Sequence, residues 1–162
     1  PFPNLTVLDN VTMGALFGSE KAQKEVRLAH AVAEEKLEMV GLIDKADSLA
    51  SQLTLAERKR LEFAKSLATD PEILLLDEVN AGLNQTEIQS AISLIQKVRD
   101  QGVTLLIIEH LMKVIMDLSD RVIVLHHGEK IAEGAPREVT GDEQVIKAYL
   151  GEKYVAMMEK LN

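Results

Sequence analysis

Ile73-Leu74-Leu75-Leu76-Asp77-Glu78 is the stretch that decides the fold of this chain, because four aliphatic residues run directly into two carboxylates. A short, continuous apolar run of this kind is typical of a buried strand in a parallel sheet. The last residues of such a strand lie at the carboxyl edge of the sheet, where open α/β folds place their ligands. The stretch therefore predicts an α/β fold with a candidate site at Asp77 and Glu78.

Two further apolar runs, at 103–108 and 121–125, predict a second and a third strand. Helical patterns separate the three strands, and this order is typical of βαβ units with a largely parallel sheet. A glycine-containing turn at 127–129 predicts a hairpin into a last extended segment.

Residues 1–70 show no strand pattern and predict a separate helical lobe. Ser19 is a plausible N-cap for a helix that ends at Gly41, and a further helix is expected to end before Asp70-Pro71. We expect the helical lobe at 1–70, an α/β core at 71–134 and a C-terminal tail at 135–162.

Composition excludes several classes of protein. The 162 residues fit one domain with a sizeable core, and the net charge of −8 argues against a nucleic-acid partner bound through a basic face. No apolar stretch approaches the roughly 20 residues of a membrane span. The absence of cysteine excludes disulfides and thiolate metal sites and fits an intracellular protein. The chain opens at Pro1 in an extended-looking segment, so we expect a fragment of a longer protein.

Asp77, Glu78 and His110 are candidates for hydrolytic chemistry. A nucleoside triphosphatase needs a carboxylate that holds Mg²⁺, directly or through water, and a base that orients and deprotonates the attacking water. His110 follows the second predicted strand, so it would lie on the same sheet edge and bond a γ-phosphate oxygen. Taken alone, the acidic pair also fits a solvated turn, and a lone histidine at a strand end also fits a structural role.

Thr54-Leu55-Ala56-Glu57 has the pattern of a capping box at the start of a helix. A helix N-terminus with free N–H groups and a hydroxyl is also an anion site, so the structural and the binding interpretation place the same atoms at the same point. A glycine-rich phosphate loop, Gly-x-x-x-x-Gly-Lys-Ser/Thr, occurs nowhere in the sequence. A complete triphosphatase would need that loop upstream of Pro1.

The order of these motifs resembles the ATP-binding subunit of ABC transporters from just after the glutamine loop onward. The signature motif is resembled by the run Leu53-Thr54-Leu55-Ala56-Glu57-Arg58-Lys59-Arg60-Leu61. The Walker B aspartate and the catalytic glutamate are resembled by Asp77-Glu78. The D-loop is resembled by Ala81-Gly82-Leu83-Asn84, and the switch histidine by His110. The opening segment 1–11 and the ending Ala148-Tyr149-Leu150-Gly151 resemble the branched-chain amino-acid importer subfamily.

The sequence departs from the family pattern at two motifs. Leu55 and Ala56 stand where the signature motif has paired glycines, and Asn84 stands where the D-loop commonly has Asp. The Cβ of Ala56 would restrict close approach and positive φ.

The resemblance implies a P-loop NTPase-like ABC ATPase core with a largely parallel sheet and an all-helical lobe, with the N-terminal part of the domain absent. It implies that Glu78 and His110 are catalytic, that Asp77 holds Mg²⁺ through water, and that nucleotide-binding residues include Thr54, Ala56, Glu57 and Asn84, with Thr54 and Ala56 acting in trans.

The expected cofactors are ATP and Mg²⁺. The expected partners are a second ATPase subunit, identical or different, and transmembrane permease subunits at the cytoplasmic face of the cell membrane, where the chain would be peripheral. We expect the C-terminal part of an ATPase that powers uptake of branched-chain or related amino acids. An ABC ATPase of an export, lipid or non-transport system, and a non-catalytic interaction module, remain alternatives.

Overall fold

The computed structural model describes residues 1–18 and 22–150. The chain divides into two compact units, Pro1–Ile108 and Glu109–Asn162. This division falls at a different place from the three-part organisation expected from the sequence, whose boundaries at 70 and 134 stay a prediction. No helix in the described part combines the length and the apolarity of a membrane span.

Three helices form the first layer of the first unit: α1 (Val7–Phe17), α2 (Val26–Val40) and α3 (Leu55–Leu67). Each of the three contacts the other two, and short 3₁₀ turns at Ile43–Lys45 and Ala50–Gln52 connect α2 to α3. The described part of 1–70 thus contains three α-helices, and its forming a separate lobe stays a prediction. Its one extended pairing among described residues is an isolated bridge between Thr6 and Leu49.

The starts and ends of these helices follow local chemistry. Thr6 caps α1, since its hydroxyl oxygen accepts the N–H of Asp9 at 3.0 Å. Gly41 ends α2 with φ +69°, a left-handed conformation in which glycine carries no steric penalty. The predicted N-cap of α2, Ser19, lies outside the described residues, and the helix begins only after Glu25.

The helical layer encloses an aliphatic core. Gly14 lets α1 approach α3 closely, because a Cβ at Gly14 would lie 2.5 Å from the backbone oxygen of Lys65. Side chains from all three helices are fully buried, and their removal from water is the main stabilising term of this layer. These core side chains are Val7, Val11, Ala29, Ala33, Leu37, Leu61 and Ala64.

A parallel pair of strands completes the first unit. β1 (Ile73–Asp77) and β2 (Thr104–Ile108) are joined by α4 (Gln85–Asp100), which buries one apolar face. In β1, Leu74 and Leu76 are buried, whereas Ile73 and Leu75 are 60% and 69% exposed. The predicted strand and its parallel pairing are confirmed, whereas its burial is only partial, because one face of this pair is covered among the described residues.

The second unit contains an antiparallel hairpin with short helices. α5 (Met112–Leu118) precedes β3 (Val122–His126) and β4 (Glu129–Gly134), and α6 (Pro136–Thr140) and α7 (Glu143–Leu150) follow. The strands pair antiparallel across a two-residue turn at His127 and Gly128, with φ of 48° and 85°.

The expectation of a largely parallel sheet is therefore corrected: within the described residues, β1–β2 is parallel and β3–β4 forms a separate antiparallel sheet. A two-residue turn can only return the chain antiparallel, which is why the hairpin strand joins β3 in this way.

Candidate functional site

The start of α3 carries three of the predicted nucleotide-binding residues. The Thr54 hydroxyl accepts the N–H of Glu57 at 3.3 Å, and Glu57 Oε2 accepts the N–H of Thr54 at 2.9 Å. This reciprocal pair is the predicted capping box. Residues 55 and 56 lie in the first turn of the helix, so their N–H groups have no intrahelical acceptor and Ala56 needs no positive φ.

Glu57 is held from two directions. Its Oε1 lies 2.5 Å from Nζ of Lys45, while its Oε2 takes the Thr54 N–H. The hydrogen bond from Lys45 and then that from the Thr54 backbone lower the pKa of the Glu57 carboxyl below its ordinary value of 4.5. Both oxygens are therefore engaged in fixing the start of α3, and the predicted role of Glu57 toward a nucleotide stays a prediction.

Asp77 and Glu78 lie at the carboxyl end of β1, as the sequence predicts. Both are exposed, and Asp77 is paired in register with Ile108 at the end of β2. The N–H of Glu78 donates to the Ile108 oxygen at 2.9 Å, and Glu78 has φ 43°. A left-handed glutamate is uncommon, and residues in such conformations concentrate at functional sites. Glu78 thus turns the chain sharply out of the strand directly after Asp77.

The loop after Glu78 leads to the fourth predicted binding residue. Ala81 and Leu83 donate their N–H groups to the carbonyls of Glu78 and Asn80, at 3.0 and 3.2 Å. Asn84 then caps α4: its Oδ1 accepts the N–H of Glu87 at 3.0 Å, and its own N–H donates to Glu87 Oε2 at 2.8 Å. The asparagine serves as the N-cap without the charge of an aspartate.

A cleft of about 200 Å³ brings Asp77 together with the part of α3 from Lys59 to Ser66 and with α4. Lys59 and Arg60 line it from α3, and the Arg60 guanidinium donates to Ser90 Oγ of α4 at 3.2 Å. These two cations are not among the site residues that the sequence predicts. The available signal was their position, since they follow Glu57 within the run that resembles the signature motif.

His110 belongs to the second unit and is exposed. Its backbone oxygen accepts the hydroxyl of Tyr149 at 2.8 Å, which ties the residue to α7 within that unit. Its grouping with Asp77 and Glu78 stays a prediction.

Asp77 has the chemistry of a magnesium ligand. Mg²⁺ is held by one or two carboxylates together with waters and phosphate oxygens, without a dedicated protein cage. The described residues contain no cluster of three or more His, Asp or Glu side chains suited to a metal ion, and the role of Asp77 toward Mg²⁺ stays a prediction. One exposed carboxylate at a strand end fits a magnesium ion that is shared with a nucleotide.

Comparison with known proteins defines the family. The ABC transporter family matches residues 1–81, and the family described as branched-chain amino acid ATP-binding cassette transporter matches residues 129–155. The chain belongs to the ABC transporter family. Within it, the chain is similar to the ATP-binding proteins of branched-chain amino acid transport.

Individual relatives agree with this assignment. The high-affinity branched-chain amino acid transport ATP-binding protein LivG of Escherichia coli K12 is 37% identical over 163 residues, which cover 93% of this chain and 64% of LivG. BraF of Pseudomonas aeruginosa, with the same description, is 40% identical over 141 residues, covering 86% of this chain and 55% of BraF. The chain therefore spans less than two thirds of the length of either relative.

Solved structures share the fold. The ATP-binding cassette MJ1267 in its ADP conformation superposes with a TM-score of 0.78 at 27% identity, covering 94% of this chain and 65% of MJ1267. A nucleotide-free ATP-binding cassette from an ABC transporter gives a TM-score of 0.78 at 26% identity, covering 94% and 65% of the two chains. The described chain thus has the fold of part of an ABC ATPase cassette.

Proposed function

We propose that the chain is part of an ATP-hydrolysing subunit that powers uptake of branched-chain or related amino acids through an ABC transporter. The observation that carries the proposal is the placement of two adjacent carboxylates. Asp77 is the last residue of a parallel strand, and Glu78, directly after it, has a left-handed φ. Asp77 lines a cleft whose other wall is α3, the helix that resembles the signature helix. The similarity to LivG and BraF supports the choice of amino acids as the transported class.

Glu78 would act as the general base, which holds the attacking water and accepts its proton. Asp77 would hold the Mg²⁺ of Mg-ATP through water, and the bound ion would neutralise charge on the phosphate oxygens. The N–H groups at 55 and 56, together with the Thr54 hydroxyl, would donate to the phosphates of a nucleotide held by a second subunit. Glu57 and Asn84 would complete that surface, and His110 would bond a γ-phosphate oxygen.

The phosphate cradle must come from polypeptide outside these residues, because the sequence contains no Gly-x-x-x-x-Gly-Lys-Ser/Thr loop. LivG is longer than this chain, and the chain matches 64% of it. The uncovered face of β1–β2, with Leu75, Leu106 and Ile108 at 69%, 54% and 59% exposure, is where we place the remainder of the cassette. Covering that face would bury the apolar surface that the described residues leave in water.

A groove between α1 and α3 is the feature that supports our proposal of a transmembrane partner subunit. It measures about 630 Å³ and is lined by Phe2, Met13 and Phe17, which are 49%, 37% and 73% exposed. Exposed aromatic side chains around a groove are typical of protein interaction sites. We place a transmembrane permease subunit on this groove, which sets the subunit peripherally at the cytoplasmic face of the membrane.

The test is ATP hydrolysis by the complete cassette with the change Glu78→Gln. Loss of the base is expected to lower kcat by about 10²- to 10⁴-fold while ATP binding persists, since the amide still hydrogen-bonds but accepts no proton. Glu34→Gln, an exposed change on α2 that lies outside both the cleft and the groove, is the matched control and should hydrolyse normally. Undiminished turnover in Glu78→Gln would remove Glu78 from this role and with it the proposed reaction at this site.

A further inference from the structure

Asn10 is a polar side chain inside the core of the helical layer, where it is fully buried on α1. A buried amide is costly unless its polar atoms are hydrogen-bonded. Asn10 finds its partners in the segment that precedes the helix. Its Oδ1 accepts the N–H of Phe2 at 2.7 Å, and its Nδ2 donates to the carbonyl oxygens of Phe2 and Thr6 at 3.0 and 2.8 Å. One side chain thus holds both backbone polar groups of Phe2.

The start of α1 does not account for this clamp. Thr6 already caps the helix through the N–H of Asp9, and the backbone N–H of Asn10 donates to the Thr6 oxygen at 3.1 Å, as an ordinary helical bond. The two bonds to Phe2 lie outside the helix. They serve the opening segment, which we define as residues 2–5 and which forms neither helix nor strand.

The opening segment is bound on a second side by the connector between α2 and α3. Ala50 and Ser51 donate their N–H groups to the oxygens of Leu5 and Pro3, each at 3.0 Å. Within the segment, a turn from the Leu5 N–H to the Phe2 oxygen measures 3.3 Å. A short turn of this kind takes its stability from the structure to which it is bound. We therefore expect the segment to loosen on the connector when the amide clamp is removed.

Phe2 is the groove residue that depends on such support. Met13 and Phe17, the other two large apolar side chains of the groove between α1 and α3, belong to α1 and are placed by the helix. Phe2 precedes the helix, is 49% exposed and has Nζ of Lys65 at 4.4 Å from the centroid of its ring. A cation–π contact at an exposed site is a weak restraint. The clamp from Asn10 and the cation together keep the ring at the rim of the groove.

We propose that Asn10 is a positioning residue for the groove: it fixes Phe2 as an aromatic anchor that is already in place when the transmembrane permease subunit binds. The identity of the partner rests on the proposed function, whereas the clamp concerns this chain alone. An anchor that is ordered in advance loses little conformational entropy on association, so more of its contact energy contributes to affinity. Affinity for the permease should therefore depend on a buried residue that the permease does not touch.

Hydrogen exchange of this chain tests the clamp. Asn10→Ser keeps a hydroxyl that can bond the Thr6 oxygen within the helix, but it loses both bonds to Phe2. Because the opening segment then loosens, exchange of the Ala50 and Ser51 amides should become about 3- to 10-fold faster relative to the amides of α2.

Thr12→Val is the matched control for this exchange measurement. It removes another buried hydrogen bond of α1, from the Thr12 hydroxyl to the Leu8 oxygen at 2.9 Å, and should leave the relative rates unchanged. If Asn10→Ser fails to fold, the parent chain supplies a second measurement. Its Phe2 amide, which Asn10 accepts, should exchange at least about tenfold more slowly than an unprotected amide. Unaltered relative rates in Asn10→Ser, or an unprotected Phe2 amide, would overturn the clamp.

A double-mutant cycle in the complete cassette tests the positioning role. The readout is the Kd for the permease subunits of the transporter, held in nanodiscs and measured by biolayer interferometry. Phe2→Ala should weaken binding about tenfold, and Asn10→Ser about threefold or more. In the Phe2→Ala background, Asn10→Ser should weaken binding by less than about twofold, because the anchor is already absent. Thr12→Val should bind like the parent.

The outcomes separate the positioning role from the proposed function. If Asn10 acted only through overall stability, its effect on binding would be the same with and without the Phe2 ring, so additive effects would overturn the proposal. Unchanged binding in Phe2→Ala would overturn it as well. A parent cassette that binds no permease would instead contradict the proposed function, and the exchange rates would still decide whether Asn10 holds Phe2.

Discussion

The ion pair between Lys45 and Glu57 yields a prediction that can be worked out from the structure. Lys45 lies in the 3₁₀ turn Ile43–Lys45, and its Nζ reaches Glu57 at 2.5 Å. The side chains are 45% and 21% exposed, so solvent screens the pair. An exposed pair of this kind contributes about 0.2–1 kcal/mol. We expect Lys45→Met to lower the free energy of unfolding at neutral pH and low salt by about 0.5–1 kcal/mol.

The effect should depend on pH with a definite sign. The pKa of Glu57 in the folded chain lies below the ordinary value of 4.5, chiefly because of the Lys45 hydrogen bond. A carboxyl with a lowered folded pKa contributes stability that is fully present above the unfolded value and is lost as pH falls through the folded pKa. The parent chain should therefore lose more stability on acidification than Lys45→Met. The free energies of unfolding of the two proteins should become equal once the pH lies below the folded pKa of Glu57.

Urea unfolding followed by the circular dichroism of the helices measures both effects. The cycle of Lys45→Met with Glu57→Gln should give a coupling free energy of about 0.5–1 kcal/mol that shrinks in high salt. Glu57→Gln keeps an oxygen for the Thr54 N–H, so the cycle isolates the charge pair. Equal dependence on pH in the parent and in Lys45→Met would refute the assignment of the lowered pKa to Lys45.

Three further outcomes are expected. Leu61→Ala, at a fully buried position of α3, should destabilise the chain by about 3–5 kcal/mol in the same urea assay, and a cost under about 1 kcal/mol would contradict the packing described for the helical layer. Leu75→Ser should leave the free energy of unfolding of this chain nearly unchanged but lower that of the complete cassette by about 2 kcal/mol. Leu74→Ser is the control and should destabilise both proteins. An unchanged free energy of unfolding for Leu75→Ser in both proteins would refute a covered face. Titration calorimetry of this chain with Mg-ATP should show no tight binding, and a submicromolar Kd would contradict the need for an outside phosphate cradle.

Much of the local structure could be predicted from the sequence because its causes are local. The apolar run that ends in Asp77 fixes a strand, and the spacing Thr54-x-x-Glu57 fixes a helix start, whatever the rest of the chain does. Gly41 and Gly102 both adopt positive φ just beyond helices, where glycine is expected. These features need information from only a few neighbouring residues.

Contacts between distant residues could not be predicted in the same way. Lys45 and Glu57 are separated by twelve positions, and no periodicity marks them as partners. The parallel pairing expected for the third strand shows the same limit, because its apolar run fits either sheet type. The hairpin predicted at 127–129 is confirmed, and its short turn sets the antiparallel pairing of β3 with β4. The run at 73–76 likewise could not reveal which face is covered, because an unbroken aliphatic sequence has no polar side to mark the exposed one.

The measurement that tests the central claim most directly is transport by the complete transporter in proteoliposomes. ATP is enclosed in the vesicles, on the same side of the membrane as the cassette. Uptake of labelled leucine is then expected to depend on ATP. It should stop with Glu78→Gln, although that variant still binds ATP. The control Glu34→Gln, on an exposed position of α2, should transport at the parent rate. Leucine uptake that continues at the parent rate in Glu78→Gln, or ATP hydrolysis without any uptake of branched-chain amino acids, would contradict the account.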